Sequence, residues 1–101
     1  RGVHLAGPLK AYLVDIAEAS RTSQSLTLGL SPRATLQLAR ASRSYAAAHG
    51  RDFATPDDVK AVAVPVLAHR VVLRPDAAAR GVTAEAAVHE VLQSVPVPTG
   101  R

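Results

Sequence analysis

The residues of this chain best placed to do chemistry lie in one short run, Gly29-Leu30-Ser31-Pro32-Arg33. Ser31 is an N-cap type of residue, and Pro32 suits the first position of a helix, where its missing N–H costs nothing. Arg33 then falls in the first turn, where the helix macrodipole places positive partial charge. An arginine there loses ~0.3–1 kcal/mol against a neutral residue. The free N–H groups of a helix start also attract anions, so a cation beside them makes sense where an anion, most simply a phosphate, binds. The residues alone leave two readings open: an exposed arginine that tolerates a small penalty, or a cation held ready for a phosphate.

Other recognisable chemistry is missing. The sequence contains no GxxxxGK[ST] phosphate loop, no GxGxxG and no GxSxG. His4, His49, His69 and His89 are scattered without an HxxxH pair, and cysteine is absent, so no metal site is expected. Asp57-Asp58 could serve acid–base or metal chemistry. They directly follow Thr55-Pro56, however, and read as acids complementing a helix dipole. A small basic domain of this kind is a binding module, a regulatory domain or a piece of something larger.

The elements that position these residues are helical. From Leu9 the apolar residues Leu9, Tyr12, Leu13, Ile16 and Ala17 recur at i, i+3, i+4, i+7 and i+8, predicting an amphipathic helix that ends near Ser20–Arg21. Asp15 and Glu18 lie on its polar side. Residues 1–8 read as a lead-in, because Gly2, Gly7 and Pro8 discourage regular structure. In 22–30 the alternation of Leu26, Leu28 and Leu30 is compatible with a short extended piece. A loop pinned by those leucines is preferred, with Gly29 supplying freedom before the next helix.

The second helix is expected from Pro32 to about His49, with Gly50 just past its end. Ala34, Leu38, Ala41, Tyr45 and Ala48 form its buried stripe, and Arg33, Gln37, Arg40 and Ser44 its polar face. Phe53, the one phenylalanine, is expected to dock into the core. Thr55-Pro56-Asp57-Asp58 starts a third helix whose apolar face is Val59, Val62, Ala63, Val66 and Leu67, with a kink or break at Pro65. His69 and Arg70 suit its C-terminal end. Val71–Leu73 is a candidate extended segment, Arg74-Pro75-Asp76 a turn, and 77–81 a helical turn stopped by Gly81. Thr83 caps a last helix to about Ser94, with Ala84, Val88, Val91, Leu92 and Val95 inward. The proline-rich tail 96–101 cannot be helical.

Composition agrees with an all-α fold, a small bundle of about four helices. The 101 residues suffice for one domain with a modest core, and their 48% apolar content is mostly Ala, Val and Leu, which let helices pack closely. No apolar run approaches the ~20 residues of a membrane span, and the N-terminal residues lack the layout of a signal peptide. The absence of cysteine fits a reducing compartment. Net charge is +4, and ten of the twelve cations are arginine, the residue suited to gripping carboxylate or phosphate through a planar fork.

Several ordered motifs together resemble one family. G-L-S-P-R at 29–33, G-R-D-F-A-T-P-D-D-V at 50–59 and V-L-A-H-R at 66–70 are similar to the C-terminal lid of MoxR-type AAA+ ATPases, as are A-Y-L-V-D-I at 11–16 and S-V-P-V-P at 94–98. Related lids occur in magnesium chelatases and MCM helicases. At Ala54 the family often has valine, a departure that touches packing only. The resemblance implies a lead-in from an upstream ATPase core at 1–8, the lid itself at 9–95 and a tail at 96–101.

It further implies that Arg33 is the sensor-2 residue, which contacts the γ-phosphate of ATP, with Ser31 and Pro32 positioning it. Arg70 is expected to make a structural or interdomain contact. ATP and Mg2+ would be held by the upstream domain, which carries Walker A and Walker B, so these 101 residues alone should be inactive. The implied whole is a cytoplasmic, chaperone-like remodelling or metal-inserting ATPase. It would form a ring, often a hexamer, of neighbouring subunits and work with a von Willebrand factor A-domain partner. The alternative from a different class is a basic helical nucleic-acid-binding module, since Arg33, Arg40 and Arg43 share one helix. Against it, the loop between the first two helices is too long for a tight helix-turn-helix and stacking aromatics are nearly absent, so nucleic acid is not the expected partner.

Overall fold

A computed structural model describes residues 5–98. Its elements in order are α1 (Gly7–Arg21), β1 (Leu26–Leu28), α2 (Pro32–Ala48), α3 (Pro56–Leu67), β2 (Val72–Leu73), α4 (Pro75–Ala79) and α5 (Ala84–Ser94). Five helices thus make an all-α fold, with one very short two-stranded sheet. The most extensive pairing is α2 on α3, and α5 packs across both α1 and α3.

The core follows from helical spacing. Leu9, Tyr12, Leu13 and Ile16 of α1 meet Leu38 of α2, Val59, Ala63 and Leu67 of α3, and Val88, Val91 and Leu92 of α5. Fully burying such a Leu, Ile or Val side chain is worth about 1.5–3 kcal/mol, so this stripe dominates the stability of the domain. Tyr12 is the largest side chain within it. Its hydroxyl has no hydrogen-bond partner among the described residues, and burial, then the nearby charge of Asp57, pushes its pKa up.

Several expectations are corrected. α1 takes in Gly7 and Pro8, because proline is tolerated in the first turn, where the N–H groups have no helical partner. The stretch read as a loop contains strand β1, which pairs antiparallel with β2, Leu26 opposite Leu73 and Leu28 opposite Val72. Thr27 Oγ1 donates to the Leu73 carbonyl, and the Arg74 N–H donates to the Ser25 carbonyl. Of the three leucines, Leu26 and Leu30 are buried, while Leu28 stands in solvent.

The buried stripe of α2 is Ala34, Leu38, Ser42 and Ala46. Steps of four hold these on α3, while Ala48 is exposed and Ala41 and Tyr45 are half-buried. Ser42 is accommodated in the interior because its hydroxyl donates to the Leu38 carbonyl one turn back. Helix α3 runs unbroken through Pro65 and stops at Leu67, so His69 and Arg70 lie in the turn beyond it. Pro75 and Asp76, read as a turn, open α4. Thr83 caps α5 through the Ala86 N–H, as expected, and residues 96–98 are not helical. His4 and the end of the tail, 99–101, lie outside the described residues.

Candidate functional site

The run 29–33 is built into the molecule residue by residue. Gly29 lies against the last turn of α1 so closely that an added Cβ would stand 2.7 Å from Arg21 N and from Ser20 Oγ. Its role is therefore close approach, not the backbone freedom read from the sequence. Leu30 is buried, and its N–H donates to Ser20 Oγ at 2.8 Å. Ser20 is itself buried and donates to the Ala17 carbonyl, so the hydroxyl is satisfied in both directions. Ser31 caps α2 by accepting from the Ala34 N–H at 3.1 Å, and Pro32 occupies the first helical position.

These contacts fasten the start of α2 to the end of α1 and leave Arg33 at a fixed place in the first turn. Arg33 is exposed, forms no ion pair or hydrogen bond with any described residue, and has no acidic neighbour in that turn. The three residues singled out from the sequence, Ser31, Pro32 and Arg33, are thus together: two hold the helix start and the third projects from it. The arrangement can meet an anion with a guanidinium fork beside a helix N-terminus. Among the described residues no group of His, Asp or Glu is poised to hold a metal ion.

The opposite end of α2 is built differently. Gly50, at φ +76°, adopts the left-handed conformation that ends a helix, with the Gly50 N–H bonded to the Ala47 carbonyl and the Arg51 N–H to that of Ala46. This turn directs Arg51 onto Asp58, with two parallel hydrogen bonds of 2.6 Å each. Asp58 also accepts from the Thr55 N–H at 2.7 Å, while Thr55 Oγ1 accepts from the Asp58 N–H, a complete capping box at the start of α3. The Arg51 guanidinium holds the buried Asp58 carboxyl below its ordinary pKa against the opposing cost of burial, with Thr55 helping. The same pairing raises Arg51.

Phe53 does not dock into the core. Arg51 and Asp58 occupy the inner side of the connector, Ala54 takes the buried place, and the Phe53 ring is 49% exposed with the Arg51 guanidinium 5.9 Å from its centre. Arg70 and His69 are exposed; the Arg70 N–H donates to the Leu67 carbonyl, and neither side chain forms an ion pair with a described residue. Sequence reasoning missed Ser20 and the Arg51–Asp58 pair. Ser20 had a signal, since it continues the α1 stripe by one more step of three from Ala17.

A family model described as the AAA lid domain matches residues 18–91. The chaperone MoxR1 of Mycobacterium tuberculosis is 38% identical over 96 residues, covering 86% of this chain and 26% of that protein. The protein YeaC of Bacillus subtilis is 41% identical over 93 residues, covering 92% of this chain and 29% of that protein. A crystal structure of a proposed ATPase from Cytophaga hutchinsonii superposes with a TM-score of 0.88 at 27% identity, covering 97% of this chain and 32% of that one. The chain therefore spans about a third or less of the proteins it matches.

Proposed function

The chain belongs to the AAA lid domain family, and from that premise we propose that it is the lid of a MoxR-like AAA+ ATPase in which Arg33 is the sensor-2 residue. The observation that carries this reading is the division of labour in 29–33. Gly29, Leu30, Ser31 and Pro32 each have a task inside the fold, whereas the Arg33 side chain has no partner among the described residues. A cation fixed at a dipole-unfavourable position, without a partner among the described residues, suits a γ-phosphate presented from outside the domain.

ATP and its Mg2+ would be held by the part of the polypeptide beyond these residues, and the bound nucleotide supplies the phosphoryl group that is transferred to water. The contribution of this chain is electrostatic. The Arg33 guanidinium neutralises charge that develops on the phosphoryl oxygens, and its rigid seat lowers the reorganisation needed to do so. Movement of the lid with nucleotide state would then couple hydrolysis to the neighbouring subunits of a ring, often a hexamer. Chaperone-like remodelling or metal insertion with a von Willebrand factor A-domain partner, in the cytoplasm, is the corresponding whole-protein activity. No helix among the described residues is long and apolar enough to cross a membrane.

The test is ATP turnover by the native full-length protein with Arg33→Ala. Turnover is expected to fall at least about tenfold, a barrier change of ~1.4 kcal/mol, while the ring still assembles. Unchanged turnover, or a native chain with no ATPase portion, overturns the reading.

A further inference from the structure

A cleft of about 420 Å³ opens between the loop that follows α1 and the short helix α4. Every residue bordering it is polar or charged: Thr22, Ser23 and Gln24 from the loop, and Arg74, Asp76 and Arg80 from α4 and its two ends. None of the residues of the run 29–33 borders it.

The backbone of both arginines is fixed. The Arg74 N–H donates to the Ser25 carbonyl at 2.8 Å, which ties it to the loop across the cleft. Arg80 closes α4, its N–H shared between the Asp76 and Ala77 carbonyls, and the fully buried Ala77 pins that helix to the body of the domain. The two side chains converge on Asp76 from either end of α4. Arg74 Nε donates to Oδ1 at 3.2 Å and Arg80 Nη1 to Oδ2 at 3.4 Å. Both pairs are long and more than half exposed, so they hold the guanidinium groups weakly.

Donors outnumber acceptors around the cleft. Arg74 keeps both Nη groups, and Arg80 keeps Nε and Nη2, without a partner among the described residues. Ser23 Oγ accepts from the Ser25 N–H, which leaves its own proton to donate, and the Gln24 carboxamide has no partner among the described residues. Asp76 is the one carboxylate on the border, so a positive charge is left over. A ligand carboxylate would offer two oxygens and repeat what Asp76 already provides. A phosphate monoester offers three, carries a charge of about −1.5 to −2 near pH 7, and meets guanidinium groups through paired hydrogen bonds.

We infer that this cleft is a site for a phosphate monoester, carried by a small molecule or by a side chain of a protein segment. Arg74 and Arg80 grip the phosphate, and Ser23 and Gln24 complete its contacts. The site is separate from Arg33 and does not depend on the reading of that residue.

The experiment is calorimetric titration of the full-length protein with O-phosphoserine, with ADP and Mg2+ saturating any nucleotide site. Binding is expected, and the double variant Arg74→Gln, Arg80→Gln should weaken it at least about tenfold, since hydrogen bonds to a charged group are lost. Arg33→Ala and Arg40→Gln, exposed arginines of α2, should leave it unchanged. N-acetylglutamate, the carboxylate probe, should bind more weakly than O-phosphoserine. Four results overturn the inference: no binding by the native protein, binding unaltered in the double variant, equal losses with Arg33→Ala or Arg40→Gln, or N-acetylglutamate bound as tightly. A short phosphoserine peptide separates the two sources. Tighter binding of the peptide than of O-phosphoserine assigns the phosphate to a protein segment, and equal binding assigns it to a small molecule.

Discussion

Arg33 and Arg51 stand at opposite ends of α2, and the molecule treats them in opposite ways. Arg51 is consumed by the fold. Its guanidinium meets a buried carboxylate through two hydrogen bonds, and that carboxylate also caps α3. Arg33 meets nothing among the described residues, although its backbone is fastened just as firmly through Ser20, Gly29 and the Ser31 cap. An arginine with an intramolecular acid reports on how the chain folds. One set rigidly at a helix start and left unpaired reports on what the chain meets.

The largest expected effect breaks the Arg51 side of this comparison. Asp58→Ala removes charge-assisted hydrogen bonds and the capping box together and should cost about 2–3 kcal/mol in denaturant unfolding. The pH dependence has a definite sign. The folded Asp58 carboxyl lies below its ordinary value, whereas in the unfolded chain it titrates near 3.9. The unfolded state therefore takes up the proton first as the solution is acidified. The stabilisation is whole above about pH 4 and is lost as pH falls through the folded pKa. Asp58→Asn should lack this acid-side loss, which unfolding curves between about pH 2 and 6 would reveal.

The next effect concerns the seat of Arg33, not its charge. Gly29→Ala places a methyl group 2.7 Å from the Arg21 nitrogen and 2.8 Å from the Ser20 carbonyl carbon. Backbone atoms cannot move aside as a flexible side chain can, so either the strand-to-helix connection shifts or α1 frays. Overpacking of this kind costs about 1–3 kcal/mol. Loss of protection from hydrogen exchange at the Leu30 amide, which Ser20 Oγ holds in the native chain, would locate the damage. A native-like stability and a protected Leu30 would mean that the run is not fastened in the way described.

What was legible in the sequence follows the range of the interactions. The caps Ser31, Thr55 and Thr83 and the stripe of α1 are set by neighbours within a turn or two, and they read correctly. The stripes of α3 and α5 read in large part: Val62 and Val66 are only half-buried, and on α5 the buried alanine is Ala87, with Ala84 half-buried. The stripe of α2 was misread because Ala gives little contrast: Ala41, Ala46 and Ala48 are alike in sequence, and only the seating on α3 selects Ala46. The β1–β2 pairing joins segments more than forty residues apart, which periodicity cannot see. Phe53 was placed inward on hydrophobicity alone, but the Arg51–Asp58 pair had already filled that side. Arg33 itself was legible, as a residue out of keeping with its position.

The smallest effect sharpens the comparison most. Arg33→Ala deletes no ion pair or hydrogen bond to a described residue and relieves a cation of the positive end of α2. Denaturant unfolding of this chain should show stability unchanged or raised by ~0.3–0.5 kcal/mol, with Arg33→Glu raised further because an acid suits the first turn. The sign is the informative part. Were Arg33 held by the fold as Arg51 is, its removal would destabilise. A substitution that leaves the fold as stable or stabler, yet slows the full-length ATPase about tenfold, would mean that the domain keeps this arginine at a small cost to itself, for a ligand it does not contain.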